Sequence, residues 1–176
     1  MPRFSTISVI TVLAVALAGC GGGSSSPATT STGSSNGSAK PGTKFATANI
    51  SGVGTVVVDA RGRTVYILTS AAKKNVPCTD ASGCTAVWPD LPLPSGTSAA
   101  AAGMGLNASL LGTMKLSDGE TYPTYNGYLM YEYTGDTGSG QANGEGITSY
   151  GGTWYALDAS GQPVKKSSSG GGYHYP

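Results

Sequence analysis

GYLMYEYTGD, Gly127 to Asp136, alternates along its length and then runs into TGSGQANGEG, a loop of glycine and small residues. Successive side chains of a strand point to opposite faces. Leu129, Tyr131 and Tyr133 therefore share one face, and Tyr128, Met130 and Glu132 share the other. The stretch has a partner sixty-five residues upstream, GRTVYILTSA, Gly62 to Ala71. Gly62 falls opposite Gly127, Tyr66 opposite Tyr131, Thr69 opposite Thr134, and further back Gly54 falls opposite Gly119. Trp88 follows Tyr66 by twenty-two residues and Trp154 follows Tyr131 by twenty-three, in the related pieces WPDL and WYAL. Four residue types in one order point to two diverged copies of a supersecondary unit. An apolar or tyrosine side chain recurs at matched places (Thr64, Tyr66 and Leu68 in the first copy), so the face they share is expected to be buried twice.

Working outward, TVVVDARGRTVYIL reads as two strands joined by a tight turn at Ala60, Arg61 and Gly62. TYPTYNGYLMY repeats that plan around Asn126-Gly127, and Asn-Gly is a strong hairpin signal because both positions tolerate positive φ. Residues 154–166 read as a closing hairpin, with DASG at the turn. Between the copies, Asn107 is placed to cap a short helical turn through Leu110 and Leu111, and SAAAAGMG reads as a flexible connection. Ten tyrosines and abundant threonine favour strands, and twenty-eight glycines punctuate them. The expected class is all-β, one small domain over 45–166 built from two hairpin-plus-strand repeats at about 53–94 and 118–161.

The first forty-four residues have a different character. Arg3 precedes an apolar run from Ile7 to Gly19, too short to span a bilayer comfortably and followed at once by small residues, as in a signal peptide. LAGC, Leu17 to Cys20, resembles the lipobox of bacterial lipoproteins, which implies removal of 1–19 and acylation of Cys20. Acyl chains contribute about 0.8 kcal/mol per buried CH₂, so several on one cysteine make a firm membrane anchor. Residues 21–44 are rich in Gly and Ser, cannot bury a core, and read as a disordered tether. The tail from 167, with His174, has the same composition and the same expectation.

The chain carries ten Lys and Arg against nine Asp and Glu, and losing Arg3 with the signal leaves it formally neutral. That excludes the electrostatic footprint of a nucleic-acid binder. Cys78 and Cys84 remain after Cys20 is assigned to lipid. In an exported chain two thiols six residues apart read as a disulfide, since they do not complete a tetrahedral metal site by themselves.

Tyr131, Glu132, Tyr133, Thr134, Gly135 and Asp136 form a Tyr, four residues, Asp motif. With LLGTMKLSDGETYPTYNGYLMY before it and a GG-then-WY segment after it, the motif resembles the family of bacterial secreted lipoprotein repeats of unknown function. The resemblance covers most of Val53 to Gly161; the first copy departs from it at Ala71, where the Asp would stand. It implies an envelope lipoprotein with tandem repeats and leaves the biochemical activity open.

Individual residues have competing readings. Tyr66 and Tyr131 read as core tyrosines whose hydroxyls find a backbone partner. Tyr122, Tyr125, Tyr128 and Tyr150 are freer to form a surface cluster for a glycan or a protein. Asp136, at a strand end, either locks the following turn or joins Asn143 and Glu145 as oxygen ligands for calcium. No cofactor is implied. An enzyme would need a nucleophile and base, or a placed carboxylate pair such as Asp136 and Glu145, and the chain has one histidine, in its tail. A non-catalytic envelope module that binds or spaces a partner is the leading expectation. A redox- or metal-associated accessory role using Cys78, Cys84, Met104, Met114, Met130 and His174 is the alternative.

Overall fold

The computed structural model describes residues 40–70 and 78–164, nearly all the strand-forming sequence. The expected signal segment, Cys20, the expected tether up to residue 39, Ala71 and the tail with His174 lie outside the described residues. The chain is mostly β. In order the strands are β1 Lys44–Ile50, β2 Gly54–Asp59, β3 Tyr66–Thr69, β4 Ala101–Ala102, β5 Leu111–Lys115, β6 Thr121–Tyr125, β7 Tyr128–Leu129, β8 Thr148–Ser149 and β9 Gly152–Ala156. They form three small sheets, ordered β2-β1-β4, β3-β9-β8 and β5-β6-β7. All pairings between strands are antiparallel except β1 with β4.

Turn chemistry sets the hairpins. At Asn126 (φ 51°) and Gly127 (φ 78°) both central residues take positive φ, matching the twist of a two-residue hairpin, and Tyr125 pairs with Tyr128 across it. In the first half, the Gly62 N–H donates to the Asp59 carbonyl (2.9 Å) and the Asp59 N–H to the Arg63 carbonyl (2.9 Å). The Asp59 carboxylate further accepts the backbone N–H groups of Arg61 (2.9 Å) and Arg63 (2.8 Å), satisfying donors that the longer turn leaves free. A closing hairpin pairs Leu157 with Pro163, and the Val164 N–H donates to Ala156.

The matched tyrosines meet. Tyr66 and Tyr131 exchange both backbone hydrogen bonds, at 2.8 and 3.0 Å, as a directly opposed antiparallel pair. Their outer neighbours are exchanged between the halves. Tyr66 pairs with Ala156, two residues after Trp154, while Tyr131 bridges to Asp90, two residues after Trp88. The correspondence extends to side chains. The Thr134 hydroxyl donates to the Val87 carbonyl at 3.0 Å, and that of Thr69 to the Thr153 carbonyl at 3.5 Å. Each half's tyrosine strand is thus flanked by the other half's tryptophan segment, and Trp88 and Trp154 stack with ring centroids 3.8 Å apart and planes within 3°.

Both faces of the central strands are buried. Tyr66, Leu68, Leu129 and Tyr131 enter one hydrophobic cluster with both tryptophans, whereas Val65, Ile67, Tyr128 and Met130 enter a second with Phe45 and Leu157. A strand covered on both faces reads as a nearly continuous apolar run. That two-sided burial overturns one expectation. Tyr122, Tyr125 and Tyr128 are buried and do not form a surface cluster. Tyr125 is wholly enclosed, donating its hydroxyl to the Ala159 carbonyl (2.7 Å) and accepting from the Asn107 N–H (3.1 Å). Among the expected surface tyrosines, Tyr150 is the exposed one, at 38%.

Two boundaries also shift. Lys44, assigned to the tether, begins β1, and the connection SAAAAGMG contributes β4, which pairs Ala101 with Lys44 and Ala102 with Phe45. Small residues make that approach feasible: a Cβ on Gly103 would sit 2.9 Å from the Phe45 carbonyl oxygen. The expected turn after Asn107 is a 3₁₀ turn over Ala108–Leu110, with the Asn107 side chain accepting from the Ser109 N–H at 3.0 Å.

Candidate functional site

At the centre, where the glycine loop crosses the aromatic cluster, Asp136 is a hub. Its Oδ2 accepts the Tyr66 hydroxyl at 2.6 Å, its Oδ1 accepts the Asn143 N–H at 2.9 Å, and its carbonyl accepts the Arg63 guanidinium at 2.7 Å. The Tyr66 hydroxyl in turn accepts the Gly144 N–H at 3.2 Å. One carboxylate and one phenol therefore hold both ends of the loop, and Asp136 is almost fully buried in doing so. Burial, reinforced by the Asp136 carboxylate, pushes the Tyr66 phenol far above its ordinary value, so it stays protonated as a donor. Asp136 thus locks the turn. The calcium alternative does not match the placement: Asn143 meets Asp136 through its backbone N–H, and the Glu145 carboxylate accepts the Ala156 N–H at 2.7 Å. Among the described residues, no group of three His, Cys, Asp or Glu side chains is placed to hold a metal ion.

The aromatic rings pack onto this hub. Trp88 stacks on Tyr133 (4.4 Å) as well as on Trp154, with Tyr66 edge-on to Trp88 at 5.5 Å and Tyr131 edge-on to Trp154 at 5.4 Å. The two edge-on pairs have the T-shaped arrangement that ring quadrupoles favour. The loop needs glycine where it touches them. A Cβ on Gly144 would lie 2.8 Å from the Trp88 ring and 2.9 Å from Tyr66. Gly135 likewise lies against the Tyr133 ring, whereas Gly140 and Gly146 answer to positive φ (78° and 79°) and not to ring packing.

Tyr131 stands in the corresponding place for the other half. Its hydroxyl accepts the Cys78 N–H at 3.4 Å, the counterpart of Gly144 donating to Tyr66. Cys78 is held by its disulfide to Cys84, with Cα atoms 5.3 Å apart and both residues buried. The expected backbone partner for these tyrosines is thus present in both halves, and Tyr66 has the Asp136 carboxylate in addition.

One cluster escaped sequence reasoning. Glu132, which alternation assigns to the same face as Tyr128 and Met130, is buried and receives both arginines of the first turn. Arg61 binds it through Nη2 and Asp59 through Nε (3.0 Å), and Arg63 Nη1 reaches its Oε2 at 3.1 Å. A usable signal existed in ARGR, two arginines in a chain with few charges, together with the glutamate that the aligned stretch GYLMYEYTGD carries where GRTVYILTSA has Ile67.

A cleft of about 560 Å³ opens beside the disulfide, lined by Asp80, Asp90, Asp118 and Glu120 together with Tyr122 and Thr85. Asp118 Oδ2 accepts the Tyr122 hydroxyl at 2.6 Å, which holds the Asp118 carboxyl below its usual range. Burial and the neighbouring Asp80, Asp118 and Glu120 push the Asp90 carboxyl up. Its field repels anions.

Comparison of the chain with protein-family models, with characterised proteins and with solved structures finds no match in any of the three. Among the described residues, no helix is long and apolar enough to cross a membrane.

Proposed function

We propose that the protein is a cell-envelope lipoprotein, acylated on Cys20, that presents a non-catalytic two-copy β module outside the membrane to bind or space a glycan or protein partner. The observation supporting a scaffold rather than a catalyst is the engagement of the motif residues. Asp136 spends both carboxylate oxygens on Tyr66 and the Asn143 N–H, while Tyr131 pairs with Tyr66 and Tyr133 stacks on Trp88. The same contacts support reading the halves as copies of one unit and the motif as the device that joins them, in keeping with the secreted lipoprotein repeat family that the sequence resembles. Lipid on Cys20 and the residues up to 39 would act as anchor and tether for that module.

Metabolic labelling of the full chain with a clickable fatty acid, followed by membrane fractionation, tests the reading. Wild type is expected to carry label and pellet with membranes; Cys20→Ala is expected to lose the label and appear in the soluble exported fraction. An unlabelled wild-type protein in the soluble fraction would overturn the anchor, and hydrolytic turnover of cell-wall glycan by the purified protein would overturn the non-catalytic assignment.

A further inference from the structure

The aromatic cluster has an asymmetry that the scaffold role does not use. Its rings form a continuous path from the surface inward: half-buried Tyr133 lies against Trp88 at 4.4 Å, Trp88 against Trp154 at 3.8 Å, and Tyr66 edge-on to Trp88 at 5.5 Å. Tryptophan and tyrosine are among the side chains most readily oxidised by one electron. A phenol that loses an electron becomes a very strong acid, so a stable neutral radical forms only where a base is waiting for the proton. Tyr66 has that base, the Asp136 carboxylate at 2.6 Å. Tyr131 sits in the matched position, yet among the described residues its hydroxyl is bonded to no carboxylate and accepts the Cys78 N–H instead. Trp154 directs its ring N–H at the Ser149 hydroxyl (3.1 Å), a weak proton acceptor. Of the rings stacked or edge-on in this cluster, Tyr66 is the one whose hydroxyl is bonded to a carboxylate and so can part with an electron and a proton together. Tyr122, bonded to Asp118 at 2.6 Å, makes none of these ring contacts among the described residues.

We infer that the Tyr133–Trp88–Tyr66–Asp136 path is a one-electron oxidation site, taking oxidising equivalents from a high-potential metal complex at the Tyr133 edge and storing them on Tyr66. The electron passes from Tyr66 by way of Trp88 to the oxidant seated at the Tyr133 edge, which is reduced by one electron; Tyr133 serves as the contact and is not itself oxidised. The Tyr66 O–H bond breaks as the proton moves to Asp136 Oδ2, leaving a neutral tyrosyl radical and a carboxylic acid. Return of one electron from the reduced form of a metal complex at the same edge re-forms the Tyr66 O–H bond, with Asp136 giving the proton back. Trp88 is a relay, since a tryptophan without a base holds the hole only as a short-lived cation. Burial of Tyr66 shields the radical from coupling with a second protein, which a surface tyrosine would not do. The inference is independent of how the protein is anchored.

Flash oxidation of the intact protein by a photoexcited ruthenium polypyridyl complex with a cobalt(III) acceptor tests it, followed by transient absorption and electron paramagnetic resonance. Wild type is expected to yield a long-lived neutral tyrosyl radical whose formation slows in D₂O, because the proton moves with the electron. Tyr66→Phe is expected to lose that signal and leave a tryptophan radical; Tyr131→Phe is expected to keep it. Asp136→Asn is expected to lose it as well. Because that variant also loosens the loop, the isotope effect and Tyr66→Phe decide the matter, with near-ultraviolet circular dichroism checking the fold. A tyrosyl signal undiminished by Tyr66→Phe, or a wild-type rate equal in H₂O and D₂O, overturns the inference.

Discussion

The loops that lead to Trp88 and to Trp154 do the same work on opposite halves of the molecule by different means. Each delivers one backbone N–H to the hydroxyl of the other half's tyrosine, Cys78 to Tyr131 and Gly144 to Tyr66. The first loop is closed by a covalent bond between Cys78 and Cys84. The second is closed by the Asp136 carboxylate, which gathers Tyr66 and Asn143, with Arg63 on its carbonyl. A disulfide acts largely by restricting the unfolded chain, whereas a buried carboxylate acts in the native state and fails if its donors are lost. One molecule therefore contains a covalent and an electrostatic solution to the same geometric problem.

Breaking the electrostatic side should cost most. Asp136→Asn removes the charge that the Tyr66 hydroxyl and the Asn143 N–H are bonded to, and places an amide NH₂ where an acceptor is needed. A loss of about 3 kcal/mol is expected from one or two charged hydrogen bonds of this kind, read as a fall in the urea midpoint at unchanged slope. A change under about 0.5 kcal/mol would show that the loop is held by ring packing alone.

The covalent side should cost less, because its loop is short. With a sequence separation of 6, chain-entropy reasoning gives about 2 kcal/mol for the paired change Cys78→Ala and Cys84→Ala. Combining both lesions sharpens the comparison. The two loops meet through the Tyr66–Tyr131 pair, so their effects should depart from additivity by more than the roughly 0.5 kcal/mol that separates independent sites. Additive losses would mean that the halves are held separately.

The smallest effect lies in the acidic cleft beside the disulfide. The Asp90 carboxyl is raised in the folded protein by burial and by Asp80, Asp118 and Glu120. A raised carboxyl favours the folded state in acid and loses that contribution as pH rises through its folded value. Asp90→Asn should therefore stabilise the protein at neutral pH by about 0.5 kcal/mol or less after solvent screening, and the advantage should vanish below about pH 4. Thermal melts at both pH values measure it, and a destabilised variant at neutral pH would contradict the like-charge account.

The path of the fold was legible where the chain carries its own instructions. Asn126-Gly127 and the Ala60–Gly62 turn announce their hairpins through backbone chemistry, and the matched Tyr and Trp positions pointed to a shared interior before any coordinates. The disulfide followed from two thiols six residues apart in a chain whose start reads as an export signal. The tyrosine assignments show the limit. Tyr125 and Tyr128 look like surface candidates because alternation marks one buried face per strand, and no local pattern reveals that a second cluster covers the other. The Glu132 cluster was hidden for the same reason, since nothing in its own strand announces that two arginines from a distant turn close over it. The β4 pairing was hidden because alanine and glycine carry no directional signal.

Sequence alone determined the strand-rich class, the hairpin turns, the cysteine pair and the recurrence of Gly, Tyr, Thr and Trp, because each depends on backbone conformational preference or on side chains close along the chain. Only the tertiary structure decided that Tyr66 pairs with Tyr131, that the tryptophan segments cross between halves, and that Asp136 reaches the hydroxyl of Tyr66. Those are contacts between residues tens of positions apart, and their energies come from mutual burial, which no single stretch of chain encodes by itself.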